Sequence, residues 1–407
     1  PAGAQPVDIA PGWAAFERIA HGWQFAQLRL PERAGQPLQI SWLDADAAHE
    51  RARNQMVLLP DGAVQRDERY ADLPTGRRAV GAISTTRVGH ATPAATYAHI
   101  CNRNGYNSIA EQSVPGHANY NARLGDGIDV LMGGGQRNYL PKSDNPSSKR
   151  TDTANLVDMM KAKGYAYVAK GSELSALDAT KAPKLLGLFT QSEMAYELDR
   201  VKQKLDEPSL ADMTGKALDV LSRNDKGFFL MVEGGRIDHA LHATNARRAL
   251  QDTVAFDNAI QTALDKMAKV DPGLKNTLIV VTADHDHTLH LNGYAARTGK
   301  TEAGKPGVLG LVKNYVDGKA STDVDGNPYT ILGFGNGPKR LATRGPIDAA
   351  SLESPDYLQE AVVPLASETH GGGDVFLGAQ GMGADTFSGV IDNTTVFTLI
   401  KKSIGLQ

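Results

Sequence analysis

The run FFLMVEGGRIDHALH, Phe228 to His242, sets an unbroken apolar stretch directly before two carboxylates and two imidazoles. A short apolar run closed by glycines reads as a strand buried on both faces. In open α/β sheets, ligands collect just beyond the carboxyl ends of such strands. Glu233, Asp238, His239 and His242 stand at that place. Two further fragments repeat the arrangement. LIVVTADHDH, Leu278 to His287, ends in Asp284, His285 and His287, and SETHGGGD, Ser367 to Asp374, supplies His370 ahead of the apolar run DVFLGA. Carboxylates and imidazoles together suit Zn²⁺, which in catalytic sites takes three protein ligands and keeps one position open. One Asp-His pair after a strand is an ordinary structural pair, and His370 alone would be a loop histidine. Three such fragments in one chain point to a metal centre.

The sequence around these fragments alternates strands with helices. Apolar runs VGAIST, GIDVLMGG, KLLGLF, GFFLMVE and NTLIVVTADH are separated by helical stretches. One helix is expected to open at Thr153 and stop at Gly164. Another carries Phe256, Ile260, Leu264 and Met267 on one face. The expected fold over residues 80–407 is therefore α/β, a mostly parallel sheet with helices on both faces. From Ala295 to Arg340 the chain turns glycine-rich, which reads as an irregular surface insertion.

The first 79 residues have a different character. All three tryptophans, Trp13, Trp23 and Trp42, lie there, and the first lysine of the 407-residue chain is Lys142. PGWAAFERIAHGW reads as a helix, followed by strand-like runs and a PDG turn between alternating segments. Residues 1–79 are thus expected to form a separate small α+β unit, one helix with antiparallel strands. The net charge of -3 gives no argument for nucleic acid or an anionic membrane. No apolar run approaches the roughly 20 residues of a membrane-spanning helix. Cys101 is the single cysteine, so an internal disulfide is excluded. The opening PAGAQPVDIA shows no signal-peptide pattern.

VEGGRIDHALH, VTADHDH and ETHGGGDV are similar, in order, to the metal-binding motifs of the alkaline phosphatases. TTRVGHATPAATYAHICNR and YTILGFGNGP resemble that family as well, so the likeness covers residues 80–407. It implies hydrolysis of small phosphomonoesters through a phosphoserine, with Zn²⁺ and Mg²⁺ as cofactors, in a periplasmic or extracellular homodimer. By this resemblance Asp238, His242 and His370 hold one zinc, Asp284 and His285 the second, and Thr92 and Glu233 the magnesium. Arg103 grips the phosphate, a bidentate task that lysine cannot perform. His90 and His239 would modulate the magnesium site, and His287 would orient a ligand from behind it. Cys101, within the arginine motif, reads as a small packed residue. The stretch from Trp42 to Val80 resembles the extracytoplasmic part of PepSY-associated transmembrane proteins.

The resemblance leaves a gap. The family's serine nucleophile and the aspartate bridging two metals both precede the arginine motif. Before Ser84 this chain has only Ser41, inside a strand-like run, and Asp44 and Asp46 lack the expected turn. The expectation is a phosphatase sequence joined near residues 79–83 to an unrelated segment, a chimera with impaired activity. An inactive remnant that binds metal and phosphate is the alternative, and a related phosphodiesterase or sulfatase is another.

Overall fold

The structure is a computed structural model and describes residues 8–20, 23–31, 36–44, 53–68, 78–300 and 307–405. It divides into two compact units, Pro1–Arg77 and Arg78–Gln407. Asp46 lies outside the described residues.

In the first unit a helix, α1 (Ala10–Ile19), is followed by four strands, β1 (Trp23–Arg29), β2 (Leu38–Asp44), β3 (Arg53–Leu58) and β4 (Val64–Glu68). These pair antiparallel in sequential order. Pro11 sits in the first turn of α1, where its missing N–H costs nothing. Phe16 on the helix packs with Leu38, Ile40, Trp42, Met56 and Leu58 from the sheet. The PDG turn joins β3 to β4. Gly62 takes φ +82°, and a Cβ there would stand 2.8 Å from the carbonyl of Pro11, so only glycine fits. Ser41 lies within β2, as the sequence placed it.

The second unit opens with β5 (Ala79–Arg87), α2 (Ala91–Ala95), α3 (Tyr106–Gln112), β6 (Val130–Gly134), α4 (Leu156–Ala162), β7 (Tyr165–Val168), α5 (Gly171–Ala176) and β8 (Lys184–Leu188). It continues through α6 (Glu197–Gln203), α7 (Leu210–Leu221), β9 (Phe228–Glu233), α8 (Arg236–His242), α9 (Ala246–Val270) and β10 (Leu278–Thr282). The chain then forms β11 (Leu289–Leu291), β12 (Leu332–Gly337), β13 (Ala361–Pro364), β14 (Leu377–Gly381) and α10 (Asn393–Ser403). Five strands form a parallel sheet in the order β7-β8-β6-β5-β9. Ala82 and Leu131 face one apolar layer that includes Ile109, Leu156 and Met160. Ile83, Val130 and Met132 face the opposite layer, with Met213, Ala217 and Leu221. Helices therefore cover both faces, and β6 is buried at every position.

The sequence reading needs adjustment at three places. Asn155, rather than Thr153, caps α4, because its side chain accepts from the Asp158 amide. The stretch expected to be irregular through Arg340 contains β12, which pairs with β11 and β13. Finally, β10 does not join the parallel sheet. It pairs antiparallel with β14 in a sheet of two strands. No helix among the described residues is long and apolar enough to cross a membrane.

Candidate metal centre

Only two residues, Gly234 and Gly235, separate β9 from α8. Gly235 permits this abrupt entry, since a Cβ there would lie 2.5 Å from a Thr86 methyl. One turn of helix then places Asp238 and His242, four apart, on one face. Their Oδ1 and Nε2 atoms are 3.2 Å apart. The loop after β10 brings His285 Nε2 to 3.9 Å and His287 Nε2 to 3.1 Å from the same carboxylate oxygen. His370 Nε2 arrives at 3.5 Å from it and 3.2 Å from His242 Nε2. Asp284 Oδ2 stands 3.4 Å from His285 Nε2. All five residues assigned to zinc by resemblance thus converge at the carboxyl ends of β9 and β10.

The loop carrying His370 is tied to Asp286. The amide of Gly371 donates to the Asp286 carbonyl at 3.0 Å, and that of Gly373 to its carboxylate at 3.1 Å. A Cβ on either glycine would meet the carboxylate at 2.5 Å, so the GGG run is what lets the loop close around it. Glu368, not singled out by the sequence, is the main support of the cluster. It is 2% exposed and accepts from the Thr288 amide and hydroxyl at 2.6 and 2.7 Å. Its other oxygen holds His287 Nδ1 at 2.7 Å. The only sequence signal was its position two residues before His370.

The electrostatics follow from this crowding. Burial pushes the Asp238 carboxyl up, but the hydrogen bond from His287 and the charges of His242, His287 and His239 outweigh it and bring it to about 2. Burial pushes His287 down, yet Asp238 and Glu368 hold it above its ordinary value. One anionic oxygen among four imidazoles, with donor atoms of Asp238, His285, His287 and His370 all within 4.8 Å of one another, could hold a metal ion. His242, His287 and Glu368 form a second such group. With both nitrogens engaged by carboxylates, His287 has the bonding of a residue that orients Asp238.

Beside this cluster, Glu233 ends β9 with its carboxylate among three hydroxyls. Ser84 donates to it, Thr86 lies 3.2 Å away, and Thr92 from α2 also hydrogen-bonds it. Burial raises its pKa against those bonds. Ser84 and Thr86 were missed because they sit inside an apolar strand run. Among the described residues Glu233 is a weaker centre than the histidine cluster, with one carboxylate and no imidazole in contact. Ser84 is fully buried.

His90, His239 and Arg103 form the remaining corner. The Arg103 guanidinium is 3.4 Å from His90 Nε2, and the rings of His90 and His239 meet edge-on at 5.5 Å. Arg236 donates to His239 Nδ1 at 2.6 Å while stacking over Tyr196 at 3.7 Å. Burial and the Arg236 charge push His239 down to about 4, and burial with Arg87 and Arg103 lowers His90. Both shifts favour the neutral imidazole. Cys101 is exposed, unlike the packed residue expected.

A family model for alkaline phosphatase matches residues 73–406. The chain is similar to the alkaline phosphatase of Gadus morhua, 37% identical over 336 residues, covering 77% of this chain and 66% of that protein. It is 36% identical over 344 residues to the tissue-nonspecific isozyme of Rattus norvegicus, covering 77% of this chain and 60% of that one. The chain therefore spans about two thirds or less of the length of these relatives. Among solved structures, the Thermus thermophilus alkaline phosphatase is 28% identical with a TM-score of 0.56, covering 81% of this chain and 72% of that one. A mutant TAB5 alkaline phosphatase with Mg bound in its M3 site shares the fold at 22% identity and a TM-score of 0.53, over 81% of this chain and 73% of that one.

Proposed function

The chain belongs to the alkaline phosphatase family, and we propose that it carries a phosphate-monoester site of the two-zinc, one-magnesium kind, working far below the rate of an intact relative. The convergence of Asp238, His242, His370, Asp284 and His285 at two strand ends carries this reading. Asp238, His242 and His370 would hold one zinc, Asp284 and His285 the second, and Thr92 and Glu233 a magnesium. Bound zinc would supply Lewis acidity to a phosphoryl oxygen and to water. Arg103, exposed at the rim, would take two phosphoryl oxygens in a bidentate grip. The neutral rings of His90 and His239 would offer hydrogen bonds beside it without adding charge. Small phosphomonoesters, a second copy of the chain as partner, and a periplasmic or extracellular setting belong to the same reading.

The impairment follows from ligand count. Catalytic zinc uses three protein ligands, and the second position here has two. Ser84, the serine nearest in sequence to the arginine motif, is buried and bonded to Glu233. That burial favours, as a second reading, a centre that binds metal and phosphate without turning a phosphoserine over. Metal analysis with a p-nitrophenyl phosphate assay separates the two. We expect about one tightly held zinc and turnover several powers of ten below an intact relative. Turnover equal to such a relative, abolished by Ser41→Ala, would overturn the impairment. Turnover indistinguishable from zinc-free protein would favour the second reading.

A further inference from the structure

Arg236 and His239 lie three residues apart on α8, which puts them on one face of the helix. Arg236 is the first residue of that helix, and its amide donates to Thr85 Oγ1 of β5 at 3.1 Å. Its guanidinium lies 3.7 Å over the ring of Tyr196, the N-cap of α6, and Arg248 approaches the same ring at 5.4 Å. The two arginines are otherwise unlike. Arg248 pairs with Asp199 and with Asp356, each at 2.9 Å. Arg236 is half-buried and has no carboxylate within ion-pair distance among the described residues. Its Nη1 donates instead to His239 Nδ1 at 2.6 Å. A cation withdrawn from water without a counter-ion is costly, and an aromatic face offsets only part of that cost. The arrangement is explained if the bond to His239 serves the site.

That bond has a direction. A guanidinium has N–H donors and no acceptor, so His239 Nδ1 receives, and it can do so only through its lone pair. The ring proton of His239 therefore stands on Nε2. No group among the described residues hydrogen-bonds that nitrogen. His239 lines an open groove together with His242, Ala243 and Ser367, so the ring carrying this uncommitted donor borders the metal cluster. His90 meets the same ring edge-on at 5.5 Å, and the Arg103 guanidinium reaches His90 at 3.4 Å.

We propose that Arg236 is a positioning residue that acts through His239, fixing its ring as an Nε2–H donor to a phosphoryl oxygen. This rests on the reading of the site as a phosphate-monoester centre. An unconstrained neutral imidazole exchanges its proton between the two ring nitrogens. The form with the proton on Nδ1 would turn a lone pair toward an anionic oxygen and weaken its binding. Arg236 removes that form, because it would set one N–H against another. His239 then adds a hydrogen bond to the bidentate grip of Arg103 and adds no charge.

The test uses the full chain with ¹⁵N in its histidine rings, where NMR tells a nitrogen bearing hydrogen from one that does not. The His239 signals are those missing from His239→Asn. In the wild type, Nε2 should carry the proton. Arg236→Met keeps a long side chain against Tyr196 but donates nothing, and should give a mixture of the two forms. Arg236→Lys should restore the Nε2–H form, since an ammonium also only donates. A residue that merely packs on Tyr196 would not be rescued in this way. Inorganic phosphate, measured by calorimetry at equal zinc content, should bind about tenfold more weakly to Arg236→Met and within about threefold of wild type to Arg236→Lys. A wild-type proton on Nδ1 would overturn the proposal, and so would an unshifted proton in Arg236→Met. It also falls if the tautomer shifts while phosphate affinity holds, with Arg103→Lys weakening that affinity. Phosphate binding indifferent to both Arg236→Met and Arg103→Lys would overturn the phosphate site itself, and this proposal with it. None of these readouts depends on phosphatase activity.

Discussion

His285 and His370, far apart in sequence, lie with their rings stacked, centroids 3.5 Å apart and planes 16° from parallel. Two neutral imidazoles can hold that geometry, whereas two protonated ones repel. Burial first, and then the charge of His285, keep the His370 pKa below its ordinary 6.5. The unfolded chain thus binds more protons than the folded one as pH falls through that region, so stability drops on acidification. Metal-free protein should melt at a lower temperature at about pH 5 than at about pH 7. His370→Gln should flatten that dependence. A wild-type melting temperature indifferent to pH over this range would show that the stack is not held by neutrality.

Among the described residues, Asp238 is the one carboxylate shared by four imidazoles. Asp238→Asn keeps the shape but removes the charge that makes the group a cation site. We expect zinc affinity measured by equilibrium dialysis to fall at least about a hundredfold, with the fold retained by circular dichroism. Unchanged affinity would place the first zinc elsewhere.

Glu368 acts through His287, so its loss should be milder. Glu368→Gln keeps an acceptor for Thr288 but weakens the hold on His287. Supporting partners of this kind are worth about 10- to 100-fold in metal affinity. The zinc dissociation constant should rise within that range, and rise less than for Asp238→Asn.

Arg103→Lys tests the phosphate grip. Lysine keeps the charge but not the planar fork. Inorganic phosphate should bind about tenfold more weakly by calorimetry while zinc content stays constant. A parallel loss of zinc would mean that the arginine supports the metal cluster instead.

Asp252 lies on α9, is 4% exposed, and accepts weakly from the Glu197 amide. Burial raises its pKa from 3.8 to about 7, against the pull of that amide and Arg236. The folded state therefore binds its proton more tightly than the unfolded chain does. Ionisation costs stability as pH rises from about 4 to 7, by at most about 4 kcal/mol above that window. Asp252→Asn should raise the urea midpoint at about pH 8 and leave it nearly unchanged at about pH 4. Equal midpoints at both pH values would show that the carboxylate is not held neutral.

The sequence by itself determined the strand runs, the alternation with helices, and the residues that follow each strand. These are local matters: an apolar run such as VGAIST reads as a buried strand, and the residues after it emerge at its end. The motif likeness added which of those residues belong together, and Asp238, His242, Asp284, His285 and His370 do meet. The hydrophobic pattern did not disclose Glu368, Ser84, Thr86 or Arg236. Each works by filling space behind another residue, and contact across long sequence separations leaves no period in the chain. Nor could it disclose the separation of β10 from the parallel sheet. LIVVT reads like any interior strand, and pairing depends on which neighbour is present, not on the strand's own residues. Only the tertiary structure showed that β9 and β10 share a floor and a site without pairing with each other.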